Sequence, residues 1–265
     1  MTAWYQTGRF YDRIAERIER YTPEQRAAFR ATPDGLDPEA RFTALVKRSV
    51  GPDDIVLDIG TGDGSWLIAN VVPLAATVIG LDNAGLRLRQ AGESRQRQGA
   101  RNCCFALADG ESLPLPDEAV TVLINRRGPL TASDAFFSEG CRVLAQGGLM
   151  VEIGIGERNM QEIDAAFGSR SQMHDDLTRG SVLEQLMDRH RSRGVEPETW
   201  EDIVAAEYFP SREALEYRFL TTPIIAGFNP VSDSALVDEL VARNQAPAGI
   251  RMTLHRPVLI ARKAM

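Results

Sequence analysis

The sequence predicts an α/β fold in which a mostly parallel sheet is covered by helices on both faces. Three observations carry that expectation. Short runs rich in Val, Ile and Leu alternate with stretches of helical period between residues 55 and 153, the pattern of repeated strand–helix–strand units. The first run ends in a glycine-rich turn, Gly60-Thr61-Gly62-Asp63-Gly64, which leads into a helical stretch. The second run ends in an acid, Asp82.

Taken in order, Ile55–Ile59 reads as the first strand, and a helix starts near Ser65 and carries Trp66, Leu67, Ile68 and Ala69. Ala76–Leu81 makes the second strand, and a helix runs from Leu86 towards Gln98. Cys103–Ala108 and Val120–Ile124 make the third and fourth. Ser133–Leu144 is helical, with Phe136, Phe137, Cys141 and Leu144 on one face. Gln146-Gly147-Gly148 turns the chain into a fifth strand, Leu149–Ile153. Residues 156–195 break the rhythm. They are polar, with helical pieces over 160–167 and 181–193, and form either a cap insertion over a ligand site or a surface helical pair. A sixth strand over Trp200–Phe209, helices over 212–220 and 232–244, and a seventh strand over Met252–Ala261 complete the chain, with Pro257 restricting the pairing of the last.

Composition narrows the function. With 265 residues, 43% hydrophobic and 25% charged, the chain can bury one substantial core or a main domain with a modest cap. Its formal net charge of -7 argues against a nucleic-acid partner, which is held largely through phosphate neutralisation, although a local basic patch stays open. No apolar run approaches the ~20 residues that span a bilayer, so no membrane partner is expected. Met1 to Arg20 mixes aromatic and charged residues unlike a signal peptide. Cys103, Cys104 and Cys141 show no metal-binding spacing and read as reduced, buried thiols. Cytoplasmic location and no bound metal are the expectations.

A strand that runs through glycines into a helix brings free N–H donors and room for a ligand against the main chain. Asp82 stands 22 positions after Gly60, where a carboxylate can accept from both ribose hydroxyls. The dinucleotide fingerprint G-x-G-x-x-G competes, but here the third glycine falls one place early. Asp58 and Asp63 would also flank any diphosphate and repel it. Two carboxylates suit an ammonium group, which favours S-adenosylmethionine over NAD.

These residues resemble the class I S-adenosylmethionine-dependent methyltransferases, and the similarity covers about 50 to 155. Asp58-Ile59-Gly60-Thr61-Gly62-Asp63-Gly64 is similar to the first motif of that family, and Gly80-Leu81-Asp82 to its ribose-binding acid. Ala108-Asp109-Gly110-Glu111-Ser112-Leu113-Pro114-Leu115-Pro116-Asp117 resembles the "D-x-x-x-L-P-F-x-D" stretch, and Cys141–Gly148 the "R-V-L-x-P-G-G" turn. Phe10-Tyr11-Asp12-Arg13-Ile14-Ala15 looks like the "Y-D-x-x-A" lead-in of the ubiquinone-biosynthesis-like branch. The resemblance implies a Rossmann-like, doubly wound, seven-stranded sheet with a helical cap insertion at 156–195. It also implies an N-terminal helical lid segment over 1–48 ahead of a methyltransferase domain over 49–265. Tyr11 is then a lid residue, or else part of an amphipathic helix that packs through Tyr11, Ile14 and Ile18.

The resemblance assigns the cofactor to Asp58, Gly60, Thr61, Gly62, Asp63, Gly64, Asp82 and Asn83. It places Asp109, Gly110 and Glu111 beside the adenine, and Asn125 at the methionine part. The fourth strand departs from the family's "F-D-x-V" by offering threonine at the acidic position. Arg126 and Arg127 would face the substrate and could hold an anion through bidentate contacts, or pair with Glu152 or Glu157.

Methyl transfer needs positioning and desolvation more than a fixed catalytic motif. The chain has no Asn/Asp-Pro-Pro-Tyr/Phe stretch for a base nitrogen. His174, beside Gln172, Asp175 and Asp176, is a candidate general base, while His190 and His255 read as helix-surface and strand residues. The expected activity is transfer of a methyl group to a small-molecule acceptor, with S-adenosylhomocysteine as product. The alternatives are an RNA or protein methyltransferase, a non-catalytic S-adenosylmethionine-binding partner subunit, and, more distantly, a nicotinamide-dependent oxidoreductase.

Overall fold

The computed structural model describes residues 7–127, 133–172 and 181–265. The chain opens with α1 (Gly8–Glu19), α2 (Pro23–Ala28), β1 (Thr32–Asp34) and α3 (Pro38–Ser49). The wound core follows as β2 (Ile55–Ile59), α4 (Ser65–Asn70), β3 (Thr77–Asp82), α5 (Gly85–Gln98), β4 (Cys103–Leu107), β5 (Val120–Arg126), α6 (Asp134–Val143) and β6 (Leu144–Ile153). Then come α7 (Glu162–Phe167), α8 (Val182–Arg191), β7 (Val195–Phe209), α9 (Arg212–Thr221), α10 (Ser234–Asn244), β8 (Gln245–Ala246) and β9 (Gly249–Lys263).

The strands form one sheet in the order β1-β7-β9-β6-β5-β2-β3-β4, with β8 paired to β9. Strands β2 to β6 run parallel, while β9 lies antiparallel between β6 and β7. All seven predicted strands are present, and the short β1 and β8 raise the count to nine.

Central strands bury both faces, which is why they read as unbroken apolar runs. On one face Val56, Ile124, Ile153 and Val258 pack under Phe42, Leu45 and Val46 of α3 and Leu67 and Ile68 of α4. On the other, Leu57, Leu123, Met150 and Leu259 meet Phe136 and Phe137 of α6 and Val182 and Leu186 of α8. A third cluster joins Ile163 and Phe167 of α7 to Leu215 and Phe219 of α9, Val237 and Leu240 of α10, and the ends of β7 and β9.

Three differences from the sequence reading have physical causes. The polar stretch from Val195 to Glu201 is strand, because β7 pairs with β9 along its whole length and leaves one face to water. Within residues 1–48, α3 belongs to the core, and β1 adds to the edge of the main sheet on β7. Within the stretch read as a cap or a helical pair, α7 packs with α9 and α10, whereas α8 packs on the sheet beside α6. Pro257 stands just past the end of the β6 ladder at Ile153↔Val258, and its carbonyl still accepts the Gly154 N–H at 2.8 Å.

Local chemistry fixes the helix starts. Ser133, Ser181 and Ser211 sit one residue before α6, α8 and α9, and each side chain accepts a backbone N–H. Asp37 does the same for α3, followed by Pro38 in the first turn. Thr121 stands where the family places an acid. Its hydroxyl donates to Asp54 Oδ1 at 2.7 Å and accepts from the Ile55 N–H at 3.0 Å, so it clamps β5 to the start of β2.

Candidate active site

The glycine loop lies at the carboxyl end of β2, in the crevice where α/β sheets take ligands. Gly62 (φ 61°) and Gly64 (φ 66°) hold left-handed angles, but for different reasons. A Cβ on Gly64 would come within 2.6 Å of the Phe105 ring, so this glycine lets α4 approach β4. A Cβ on Gly62 would meet nothing within 4 Å, so the main chain there faces open space.

Asp82 closes the loop from the next strand. Its Oδ2 accepts the Gly62 N–H at 2.8 Å and its Oδ1 the Ala84 N–H at 2.9 Å. Burial nevertheless pushes its carboxyl above the ordinary range. Asp58 is 4% exposed, at the end of β2. Burial pushes it up to about 6, against the pull of the Thr61 hydroxyl and of Arg126, with Asp82 adding repulsion. A carboxyl in that state gains most from a cation placed beside it. Asp63 turns away from this pair to bond the Ser65 N–H and hydroxyl, and its other oxygen is 3.5 Å from Arg87.

The loop after β4 is held from behind. Asp109 Oδ1 accepts the Glu111 N–H at 3.0 Å, and Glu111 accepts from the Ser133 hydroxyl at 2.8 Å. Gly110 presses on Phe136, where a Cβ would come within 2.0 Å of the ring. Arg142 ties the whole stretch to α6 by donating to the Leu113 and Leu115 carbonyls, to Asp117 and to Glu139. The two later motifs are thus one hydrogen-bonded unit.

The N-terminal helix covers Asn83. Gly8 packs so close that a Cβ would stand 2.0 Å from the Asn83 carbonyl oxygen, and Asp12 Oδ1 accepts the Leu86 N–H at 2.8 Å. Helix α1 docks through Phe10, Ile14 and Ala15, with Tyr11 and Ile18 half-buried.

Asn125, Arg126 and Arg127 follow different paths. Asn125 is fully buried, and its side chain donates to Glu152 Oε1 at 3.0 Å. Arg126 lies 4.9 Å over the Trp66 ring, and its guanidinium is 3.6 Å from Glu39. Arg127 reaches the same Glu39 at 3.3 Å. The pairing with Glu152 or Glu157 read from the sequence is therefore replaced by α3, whose first turn ends over β5. Trp66 is packing, stacked on Phe42 at 5.6 Å.

Of the histidines, His174 lies outside the described residues. His190 is not at the helix surface: it is fully buried and 2.8 Å from Glu152. The sequence hid this because its acid partner sits 38 positions earlier, on β6. His255, also buried, donates from Nε2 to Asp202 at 2.7 Å and accepts the Arg158 N–H at Nδ1, 3.1 Å away. Glu157, Asp202 and His255 could together approach a metal ion, but both ring nitrogens already have partners. Tyr208 donates its hydroxyl to Asp34 at the sheet edge. Among the described residues no helix is long and apolar enough to cross a membrane.

Residues 56–148 match the family described as methyltransferase domain. The chain is 31% identical over 183 residues to malonyl-(acyl-carrier protein) O-methyltransferase of Methylococcus capsulatus, a match covering 62% of this chain and 66% of that protein. It is 31% identical over 144 residues to the protein of the same name from Geobacter sulfurreducens, covering 49% and 53%. The chain thus spans less than two thirds of the length of either relative. Among solved structures, a putative methyltransferase from Bacillus halodurans superposes with a TM-score of 0.64 at 17% identity, covering 86% of this chain and 99% of that one. The cyclase SpnF superposes equally well, with a TM-score of 0.64 at 20% identity and coverage of 97% and 96%. At such identities the superpositions show the fold.

Proposed function

The chain belongs to the class I S-adenosylmethionine-dependent methyltransferases, and from that premise we propose that it methylates a small-molecule acceptor. The observation that carries the proposal is the buried carboxyl of Asp58 together with the half-buried carboxyl of Asp82, which holds the open main chain at Gly62. S-adenosylmethionine is the cofactor of this family, and the residues present fit it. Asp58 is a buried acid in want of a cation, and the ammonium of the methionine part supplies one. Asp82 keeps lone pairs for ribose hydroxyls after accepting two backbone N–H groups. The loop from Asp109 to Glu111, braced by Phe136 and Arg142, walls the adenine side.

When bound, the cofactor supplies an electron-poor methyl group on a sulfonium. The chain's own part is to orient the two reactants and exclude water. Its net charge of -7 favours a small acceptor over a nucleic acid. The names of the two relatives point to oxygen as the acceptor atom.

Calorimetry with S-adenosylmethionine, S-adenosylhomocysteine and NAD, on the wild type and on Asp82→Ala, tests the cofactor half. The expected result is binding of the first two, weakened by the substitution, with no response to NAD. Binding of NAD alone would overturn it. Mass spectrometry of candidate acceptors incubated with the protein and S-adenosylmethionine tests the acceptor half, and methylation of RNA or protein alone would overturn that.

A further inference from the structure

A group of arginines lies in the crevice beyond β5, and the cofactor needs none of them. Arg127 follows the last residue of β5 with a left-handed backbone, φ 59°, which turns its side chain towards Glu39. Arg256, on β9, is 4% exposed. Its Nη1 donates to the His255 carbonyl at 2.9 Å and to the Asn159 side chain. Its Nε is buried with no hydrogen-bond partner among the described residues. Arg218 of α9 approaches Glu207 of β7 at 3.7 Å. One oxygen of Glu207 and one of Glu39 are likewise buried without a hydrogen bond.

The charges do not balance. Arg127, Arg218 and Arg256 face two carboxylates, Glu39 and Glu207, and Glu39 is shared with Arg126 as well. Burial holds Arg256 down at about 10, and Arg127 presses in the same direction, against the pull of Glu207 and Glu39. A buried guanidinium with an idle N–H and a surplus of like charge nearby is built for an anion. With Nη1 engaged, the Nε–Nη2 edge is the one left for a two-pronged contact.

We propose that Arg127 and Arg256 seat a carboxylate carried by the methyl acceptor, an inference that rests on the methyltransferase reading above. The anion is not the carboxylate of the cofactor. In an amino acid the ammonium and carboxylate share one carbon, so with the ammonium at Asp58 on β2 the carboxylate stays within ~4 Å of it. Arg256 lies three strands away along β2-β5-β6-β9, about 14 Å at the usual strand spacing. A carboxylate fits better than a phosphate because its two coplanar oxygens match the Nε–Nη2 edge and bring no further oxygen against Glu39 and Glu207.

The test titrates protein saturated with S-adenosylhomocysteine with malonate, with its neutral analogue malonamide, and with inorganic phosphate. Malonate is expected to bind more tightly than the other two. Arg127→Gln and Arg256→Met are each expected to weaken it about tenfold or more, the loss of one charged contact, with unchanged affinity for S-adenosylhomocysteine. Arg127 is one-third exposed, so its variant keeps the test usable if Arg256→Met does not fold. Malonate no tighter than malonamide, or phosphate tighter than malonate, overturns the proposal. Equal weakening of S-adenosylhomocysteine by both variants also overturns it, by giving the arginines to the cofactor. A wild type that binds no S-adenosylhomocysteine defeats the cofactor reading instead, and the same three anion titrations on the free protein then decide the arginine site.

Discussion

His190 and Glu152 form an ion pair 2.8 Å long in which neither side chain reaches solvent. The second ring nitrogen of His190 lies 2.7 Å from the Leu186 carbonyl, so both nitrogens face oxygen atoms, an arrangement that favours the protonated ring. Burial opposes that charge, but Glu152 and the Leu186 carbonyl outweigh it and hold His190 above its ordinary value. Glu152, opposed by burial and favoured by His190 and Asn125, is held below its own. The His190 share of stability is present below about pH 6.5 and lost as pH rises through its raised folded value. The Glu152 share is present above about pH 4.5 and lost as pH falls through its lowered one. His190→Leu should cost about 3–5 kcal/mol by stranding the carboxylate. Thermal unfolding between pH 5 and 9 should show the gap from wild type narrowing on the alkaline side.

With Asp58 as the proposed partner of the cofactor ammonium, cofactor binding should depend on pH. An ammonium ligand binds the ionised carboxylate, and the folded value is about 6. Affinity for S-adenosylmethionine should be greatest near pH 7 and fall towards about tenfold per pH unit well below 6. Asp58→Asn should bind weakly and lose most of that slope. Calorimetry at pH 5, 6, 7 and 8 checks it, and a wild-type affinity that rises towards pH 5 contradicts it.

Arg142 should matter to the adenine side without touching it. Arg142→Ala frees the Leu113 and Leu115 carbonyls from α6. The expected outcome is a lower melting temperature and faster amide exchange over residues 109–117, with weaker S-adenosylhomocysteine binding. Unchanged exchange in that stretch would count against the brace.

Asp12 supplies in trans the cap that α5 lacks, since Ala84 at its N-terminus offers no side-chain acceptor. Asp12→Ala should cost about 1 kcal/mol, or about 2–4 °C in melting temperature for a domain of this size. Proteolysis should then cut α1 first. Gly8→Ala should release the same helix through its clash with Asn83.

Much of the scaffold was legible because β2, β3, β5 and β6 are buried on both faces and write themselves as apolar runs. The glycine loop and Asp82 were legible because ligand and turn impose residue types at fixed spacing. Other features escaped because they depend on residues far apart in the chain. Glu39 meets Arg126 and Arg127 across 87 and 88 positions, and no local pattern announces that. His190 looked exposed because α8 is polar around it, yet its face is the one laid on Phe137, 4.7 Å away. The start of β7 was missed since its outward residues are charged and its alternation begins with a proline-containing bulge at Pro197.

The hairpin of β7 and β9 has a consequence for how such a protein diversifies. The two strands pair from Val195↔Lys263 to Phe209↔Ile250, and α9 and α10 are strung between their ends. Lengthening, shortening or exchanging the segment from Pro210 to Ala248 would break no rung of the long ladder and leave the glycine loop untouched. Helices α9 and α10 are therefore a single insertion between the two ends of one ladder. Changes of length there can accumulate without disturbing the strand order that carries the glycine loop.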